Sequence, residues 1–269
     1  MKRRAGWVLM LALAAACGGG GSGTPTPTSP TPAPTVPVSA ACSALGQTAS
    51  ASTAIVNGTA CDVANTPIVL VNLRASDGFP EGACSGTVIA PRAVLTAAHC
   101  LPATATSVLI YLGVGPQQTA ASFAPHPLWR DANNTAYDVG VILMPDDIGR
   151  TPVPLLLSRD ARVGETSVLA GWGKDQSGLS ATLRAGSAIL TSVGPLTLQT
   201  TFSSTASSVC QGDSGGALML QEGGAWTVAG VISANTTIAC NTGNNFYANL
   251  RNPDIMSFIL DKVPSAARR

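Results

Sequence analysis

The sequence predicts an all-β fold, and three observations carry that prediction. Only 11% of the residues are charged, whereas the chain holds 28 Gly and 19 Pro, a balance poor in helix formers and rich in turn residues. Short runs of β-type residues alternate with turn signals along most of the chain. One helical pattern is present, close to the C-terminus. Many short strands of this kind are typical of sandwiches and barrels.

The strand-like runs follow one another after residue 55. They are Ile68 to Leu73, Thr87 to Ile89, Val108 to Leu112, Val139 to Met144, Val168 to Ala170 and Trp226 to Ile232. One helix is predicted between Asn252 and Val263, because Pro253 suits its first turn and apolar residues follow at three- and four-residue spacing.

The N-terminus carries an export signal. Three positive charges before residue 5 precede the apolar run from Trp7 to Ala16, which is too short to span a bilayer comfortably. The run ends in three alanines and Cys17, and this sequence resembles a bacterial lipoprotein signal, in which the cysteine is lipidated. It departs from that pattern at Ala14, where the family usually has Leu. Lipidation of Cys17, with attachment to a membrane, is one prediction, and a plain cleaved signal peptide is the alternative.

Composition divides the chain into four segments. Residues 1–17 are the signal peptide, and residues 18–41 are a Gly/Ser/Thr/Pro-rich linker that cannot bury a core. Residues 42–54 are a short segment ahead of the folded domain, which is predicted to comprise residues 55–269.

Cysteine content indicates the compartment. Seven cysteines less Cys17 leave six, an even number that suits three disulfides in an oxidising environment. The domain is therefore expected to be secreted or extracytoplasmic. Spacing alone leaves the pairing open.

The strongest chemical motif is the run from Cys210 to Gly216, in which glycines on both sides permit an exposed Ser214. Serine is a poor nucleophile unless a base removes its proton, and the chain has two histidines, His99 and His126. His126 lies between two prolines and is predicted to be structural. His99 follows an apolar strand-like run and precedes Cys100, which could lock its position.

A carboxylate must hold such an imidazole in the correct tautomer. Asp138 opens the apolar run Val139 to Leu143 and is the candidate. The three residues occur in the order His, Asp, Ser, which differs from the order in subtilisins and α/β-hydrolases.

Together these motifs resemble those of the trypsin and chymotrypsin family. The matching segments are Thr96 to Cys100, Asp138 to Leu143, Gly212 to Gly216, Ile55 to Gly58, Gly171 to Gly173 and Gly230 to Ser233. The resemblance covers about residues 55 to 263. It implies two packed antiparallel β-barrels with the site in the cleft between them, and a C-terminal helix.

The resemblance assigns a role to each matching residue. Ser214 attacks the carbonyl, His99 accepts its proton, and Asp138 orients His99. The backbone N–H groups of Gly212 and Ser214 form the oxyanion hole.

The same resemblance implies activation by cleavage. Cutting before Ile55 would free an ammonium that pairs with Asp213, so the intact precursor would be a zymogen. Ala54 stands where the family has Arg or Lys, so another protease cuts there or activation works differently. The resemblance also pairs Cys84 with Cys100 and Cys210 with Cys240, which leaves Cys42 and Cys61 to hold residues 42–54, the pro-segment, on the enzyme.

Specificity is inferred from the pocket positions. Ser208 and Val209 stand where trypsins have Asp, so no negative charge awaits Arg or Lys. The segment of Ser233, Ala234 and Asn235 should pair with the substrate backbone, and the Asn235 side chain should narrow the pocket. Small or medium uncharged residues before the scissile bond are expected.

The sequence therefore predicts a serine endopeptidase acting on proteins or peptides. The alternative is a catalytically silent binding protein with the same fold. The net charge of +1 provides no field for nucleic acid, and neither histidine has neighbours at metal-ligand spacing. No cofactor, no metal and no nucleic acid are expected, and the protein is expected to be a monomer.

Overall fold

The computed structural model describes residues 38–53, 55–130, 135–175, 177–178, 180, 182–237 and 239–269. The predicted signal peptide, Cys17 and most of the linker lie outside these residues, as does Ala54. Within the described part, none of the helices is both long enough and apolar enough to cross a membrane.

Two short helical turns and a strand precede residue 55, the first of them at the end of the predicted linker and the others in the pro-segment. Their bounds are α1 (Val38–Ala41), a 3-10 turn (Cys42–Leu45) and β1 (Ala49–Thr53), which pairs with β2 (Thr59–Cys61). Ala41, Cys42 and Leu45 are buried in the main hydrophobic core, and a disulfide joins Cys42 to Cys61. The segment before residue 55 is thus packed on the domain as well as bonded to it.

The first barrel is a sheet of seven antiparallel strands. They are β3 (Ile68–Arg74), β4 (Pro80–Ala90), β5 (Ala93–Thr96), β6 (Ser107–Tyr111), β7 (Gln118–Thr119), β8 (Ser122–Pro125) and β9 (Gly140–Leu143). Their order is β7-β6-β3-β4-β5-β9-β8, and the chain joins the two edge strands directly at residues 120–121.

The second barrel contains the remaining strands. They are β10 (Thr166–Gly171), β11 (Arg184–Val193), β12 (Thr197–Thr201), β13 (Ala217–Glu222), β14 (Ala225–Asn235) and β15 (Asn244–Asn249). The order β11-β10-β13-β14-β15-β12 closes on itself because β12 also pairs with β11, and β2 extends the sheet from β11.

The predicted all-β fold of two antiparallel barrels with one C-terminal helix is confirmed. Each predicted strand run coincides with or overlaps an observed strand, and the predicted helix is α2 (Pro253–Lys262). Asn252 caps α2 by accepting hydrogen bonds from the backbone N–H groups of Asp254 and Ile255. Ile255 and Ile259 bury the apolar face of α2 in the main core.

Candidate active site

Strand pairing in the first barrel brings His99 and Asp138 together. His99 lies in the 3-10 turn Ala98–Cys100 directly after β5, and Asp138 lies two residues before β9. Strands β5 and β9 are antiparallel, with Thr96 opposite Gly140, so the residues that flank this pair of strands become neighbours. A separation of 39 residues in sequence is closed in this way.

The Asp138 carboxylate has three hydrogen-bond donors around it. Its Oδ2 lies 2.8 Å from His99 Nδ1, and its Oδ1 accepts from the His99 backbone N–H at 2.9 Å. Ser233 donates its hydroxyl to Oδ2 at 2.5 Å. A carboxylate can only accept, so Nδ1 carries the imidazole proton and Nε2 has a free lone pair. The histidine is therefore held in the tautomer that a general base needs.

Ser214 lies on a loop of the second barrel that packs against the first. Its carbonyl accepts a hydrogen bond from the Ser85 N–H at 2.7 Å, and the Ser85 hydroxyl donates to the Gly212 carbonyl at 2.8 Å. Gly215 has φ +83, and a Cβ there would collide with the Ser85 carbonyl. Ser85 is fully buried, and sequence reasoning missed it because its partner Gly212 is 127 residues away in the chain.

The backbone N–H groups of this loop are not used equally. Asp213, Gly215 and Gly216 donate theirs to carbonyl oxygens at 2.8–3.0 Å. The N–H groups of Gly212 and Ser214 have no acceptor among the described residues. Two unpaired donors beside a serine hydroxyl are the components of an oxyanion hole.

The loop of Ser214 also contacts the residue that follows His99. Among the described residues, no hydrogen bond joins the Ser214 hydroxyl to the His99 ring. The loop is nevertheless held at this position, because the Ser214 carbonyl lies 3.7 Å from Cys100 Sγ, one residue beyond His99. Catalytic contacts of this type commonly tighten only when substrate is bound.

Asp213 anchors the same loop from below. Its side chain is fully buried, and it accepts from the backbone N–H groups of Gly173 and Cys210, each at 2.8 Å. Burial raises the pKa of Asp213 to about 6, although both hydrogen bonds and the nearby Arg184 lower it. Ile55, predicted to act with Asp213, is fully buried with φ 51, and Val56 pairs with Ser208.

A cavity of about 230 Å³ adjoins Ser214. Val209, Ser233, Ala234 and Asn235 are among the residues that line it. Ser208 is not among them: it is fully buried and hydrogen-bonded to the Asn235 amide.

The Asn235 amide is bonded at both ends. Its Nδ2 donates to Ser208 Oγ at 3.2 Å and to Asn245 Oδ1 at 2.7 Å, while its Oδ1 accepts from the Thr237 N–H at 2.7 Å. Ser208 also donates to Asn245, and both are fully buried. No local motif pointed to Asn245, whose partner Thr200 lies on another strand.

The contacts of His126 are with residues outside this site. It is buried, stacks on Tyr137 at 5.1 Å and meets Phe258 of α2 edge to face at 4.8 Å. Burial lowers the pKa of His126, while the carbonyl of Asp254 and its charge raise it. These contacts support the structural role that its sequence context predicts.

One group of metal-ligand residue types occurs in the described part of the chain, formed by Cys84, His99 and Cys100. The two cysteines form a disulfide, so their sulfurs are not the thiolates that bind zinc. A third disulfide joins Cys210 to Cys240.

Comparisons with known proteins agree with this architecture. The family model described as Trypsin matches residues 55–256. Phenoloxidase-activating enzyme 1 of Spodoptera litura is 28% identical, over 66% of this chain and 59% of that protein. Trypsin of Saccharopolyspora erythraea is 29% identical, over 46% of this chain and 57% of that protein.

The other matches are of the same kind. Transmembrane protease serine 5 of Homo sapiens is 29% identical, over 56% of this chain and 40% of that protein. These alignments thus cover less than two thirds of each curated relative's own length. A solved collagenase structure shares the fold, with a TM-score of 0.63 and 20% identity, over 74% of this chain and 93% of the collagenase.

Proposed function

Because the chain belongs to the trypsin family of serine proteases, we propose that it is an extracytoplasmic serine endopeptidase that works through an acyl-enzyme intermediate. The observation that carries the proposal is the pair of unpaired N–H groups of Gly212 and Ser214, on the loop that presents the serine hydroxyl. A protein that only binds its partner does not need two unpaired N–H groups arranged as an oxyanion hole.

The chemistry follows from the geometry. Ser214 Oγ attacks the scissile carbonyl while His99 Nε2 takes its proton, and the developing imidazolium is stabilised by Asp138. The negative charge on the former carbonyl oxygen is received by the two N–H groups of the loop. His99 then returns the proton to the leaving amine, and water attacks the acyl-enzyme by the same route to release the acid.

Substrate selection depends on the floor of the cavity beside Ser214. The Asn235 amide lines the cavity and is hydrogen-bonded to the buried Ser208 and Asn245, so its polar atoms already have partners. A long side chain would have to displace this amide and leave buried polar groups unpaired. Among the described residues, none that lines the cavity has a carboxylate to receive a cation. We therefore expect cleavage after small or medium uncharged residues.

The three disulfides support an extracytoplasmic location, because such bonds persist in oxidising compartments. A lipid on Cys17 would also tether the enzyme to a membrane. Mass spectrometry of the exported protein tests that part of the proposal.

Labelling of the purified protein with a fluorophosphonate probe tests the chemistry. We expect the label on Ser214, its loss in Ser214→Ala and in His99→Ala, and full labelling of Ser204→Ala, which alters an exposed serine nearby. A folded protein that stays unlabelled, both intact and after cleavage before Ile55, would instead be a silent binding protein.

A peptide library then tests the substrate class. The parent should cut after Ala, Ser or Val, and Asn235→Gly should gain roughly tenfold or more in kcat/KM for substrates with Leu or Phe at that position. The control is Asn244→Ala, at the start of β15. Asn244 does not line the cavity, so this change should leave the preference as it is. A parent that prefers Arg or Lys would contradict the proposed selectivity.

A further inference from the structure

A buried arginine lies beside the loop that carries Ser214. Arg184, at the start of β11, has only 3% of its surface exposed. One guanidinium nitrogen donates to the Gly173 carbonyl at 2.7 Å, and the other pairs with Asp175 at 3.0 Å. Sequence reasoning gave no role to this residue.

Gly173 connects Arg184 to Asp213. Its carbonyl accepts from Arg184, and its N–H donates to Asp213 Oδ1 at 2.8 Å. A Cβ on Gly173 would lie 2.5 Å from Asp213 Cγ, so the peptide and the carboxylate are in direct contact. The position of the Asp213 side chain, and with it the loop at Gly212, depends on this contact.

The Asp213 carboxylate needs a positive charge nearby, because it is fully buried. Among the described residues, the charged and titratable groups that act on it or share its surroundings are Arg184, Asp175 and Tyr247. Arg184 is the cation of this set, and its charge lowers the pKa of Asp213 against the larger effect of burial.

The segment after residue 54 is packed in the domain although the chain has not been cut before Ile55. Ile55 is fully buried, and the Ser208 N–H donates to the Val56 carbonyl at 3.1 Å. In an uncut chain the Ile55 nitrogen is an amide and carries no charge. An ammonium at this position therefore cannot be what neutralises Asp213 before cleavage.

We propose that Arg184 supplies the positive charge that holds Asp213 and its loop in the catalytic arrangement while the chain is still uncut before Ile55. Arg184 is then a positioning residue that acts through Gly173, and the intact protein is already an active protease. The inference rests on the proposed function, and it removes the need for an activating protease suited to Ala54.

The experiment compares intact and cut protein in one background. Ala54→Arg allows immobilised trypsin to cut before Ile55, with the cut verified by mass spectrometry and Ser214→Ala as the blank for residual trypsin. The readouts are the rate of fluorophosphonate labelling of Ser214 and kcat for an ester substrate.

The parent should be active when intact, within about tenfold of its cut form. Arg184→Met should lose roughly 100-fold when intact, the size expected when one oxyanion donor is misplaced. Cutting should restore it to within about threefold of the cut parent, because the new ammonium replaces the lost cation. Arg184→Lys should retain part of the intact activity. Arg159→Met, which removes a surface arginine paired with Glu165 and Glu222, should change neither form.

The pH profile of the intact chain provides a second readout with opposite signs. Arg184→Lys weakens the pairing with Gly173, raises the pKa of Asp213 and moves the acidic limb of activity to higher pH. Asp175→Asn leaves the Arg184 charge unshared, lowers that pKa and moves the limb to lower pH. This readout applies even when Arg184→Met fails to fold, as judged by circular dichroism, and shifts of the opposite sign would overturn the inference.

Three other results would also overturn it. An intact parent that is inert until cut would mean that the Ile55 ammonium is required, and the proposed function would stand. Equal losses in intact and cut Arg184→Met would show that the arginine is structural. Folded protein that is inert in both forms would remove the proposed function as well.

Discussion

His99 and Asp138 are fixed by hydrogen bonds between paired strands of the first barrel, whereas Ser214 depends on a loop of the second barrel that rests on a buried carboxylate. The first arrangement uses neutral donors and needs no distant charge. The second has to bury Asp213, whose pKa is raised to about 6 by that burial. Under the proposed function, His99 and Asp138 form the permanent half of the site, and the loop of Ser214 forms the switchable half, because its anchor Asp213 gains or loses a proton near pH 6.

The largest effect is expected from a substitution in the permanent half of the site. Asp138→Asn keeps the shape of the side chain but favours the wrong tautomer of His99, so we expect kcat to fall about 10⁴-fold. Steady-state kinetics on a peptide substrate measures this, and a fall of less than tenfold would remove Asp138 from the triad. The unfolding midpoint should change little, because the packing is preserved.

The next largest effect is expected from a substitution that displaces the switchable half of the site. Gly173→Ala places a Cβ 2.5 Å from the Asp213 backbone nitrogen and should shift the oxyanion loop, with a loss of roughly 10²- to 10³-fold in kcat. The matched control is Gly82→Ala, where the nearest atom to a new Cβ is 3.5 Å away. Equal activities of the two variants would mean that the loop tolerates displacement.

A third prediction concerns the stability cost of the switchable half. The pKa of Asp213 rises from 3.8 to about 6 on folding, so its contribution favours the folded state most below pH 3.8 and is lost as the pH rises through about 6. Relative to the parent, Asp213→Asn should therefore gain about 2 kcal/mol of unfolding free energy between pH 4 and pH 7.5.

Denaturant unfolding at the two pH values measures this difference. The control is Asp146→Asn, which alters an exposed carboxylate. A pH-independent difference between Asp213→Asn and the parent would show that burial does not set the pKa of Asp213.

The smallest expected effect concerns a hydrogen bond that joins the two barrels. Ser233 of β14 donates to Asp138 Oδ2 at 2.5 Å, and this is the hydroxyl that the second barrel contributes to the permanent half. Ser233→Ala should reduce kcat about tenfold, the value of a hydrogen bond to a charged group. Ser233→Thr should recover most of that loss, whereas a role limited to packing would predict no difference between Ala and Thr.

Much of the fold could be predicted because its signals are local. Alternating β-type runs and turn residues predicted strands such as β3 and β14, and the cap and spacing around Pro253 predicted α2. Motifs around His99, Asp138 and Ser214 singled out three residues, of which the structure joins His99 to Asp138 by a hydrogen bond and places Ser214 on a loop that packs against the first barrel.

Other strands had weaker signals. Strand β11 opens with an arginine, two small residues and a serine, β12 has a single apolar residue, and β15 contains three asparagines, so their apolar patterns are weak. Burial in a closed barrel, rather than intrinsic propensity, makes these segments strands.

The sequence by itself determined the strand-rich architecture, the order of the catalytic candidates and the even set of cysteines. Each of these depends only on local residue patterns, on the order of motifs or on the number of residues of one type. Tertiary structure alone decided that Asn235 is hydrogen-bonded to Ser208 and Asn245, that Ser85 holds the loop of Ser214, and that Arg184 lies near Asp213. These contacts join residues on different strands, and a buried polar group acquires its role only from the partner that the folded chain brings to it.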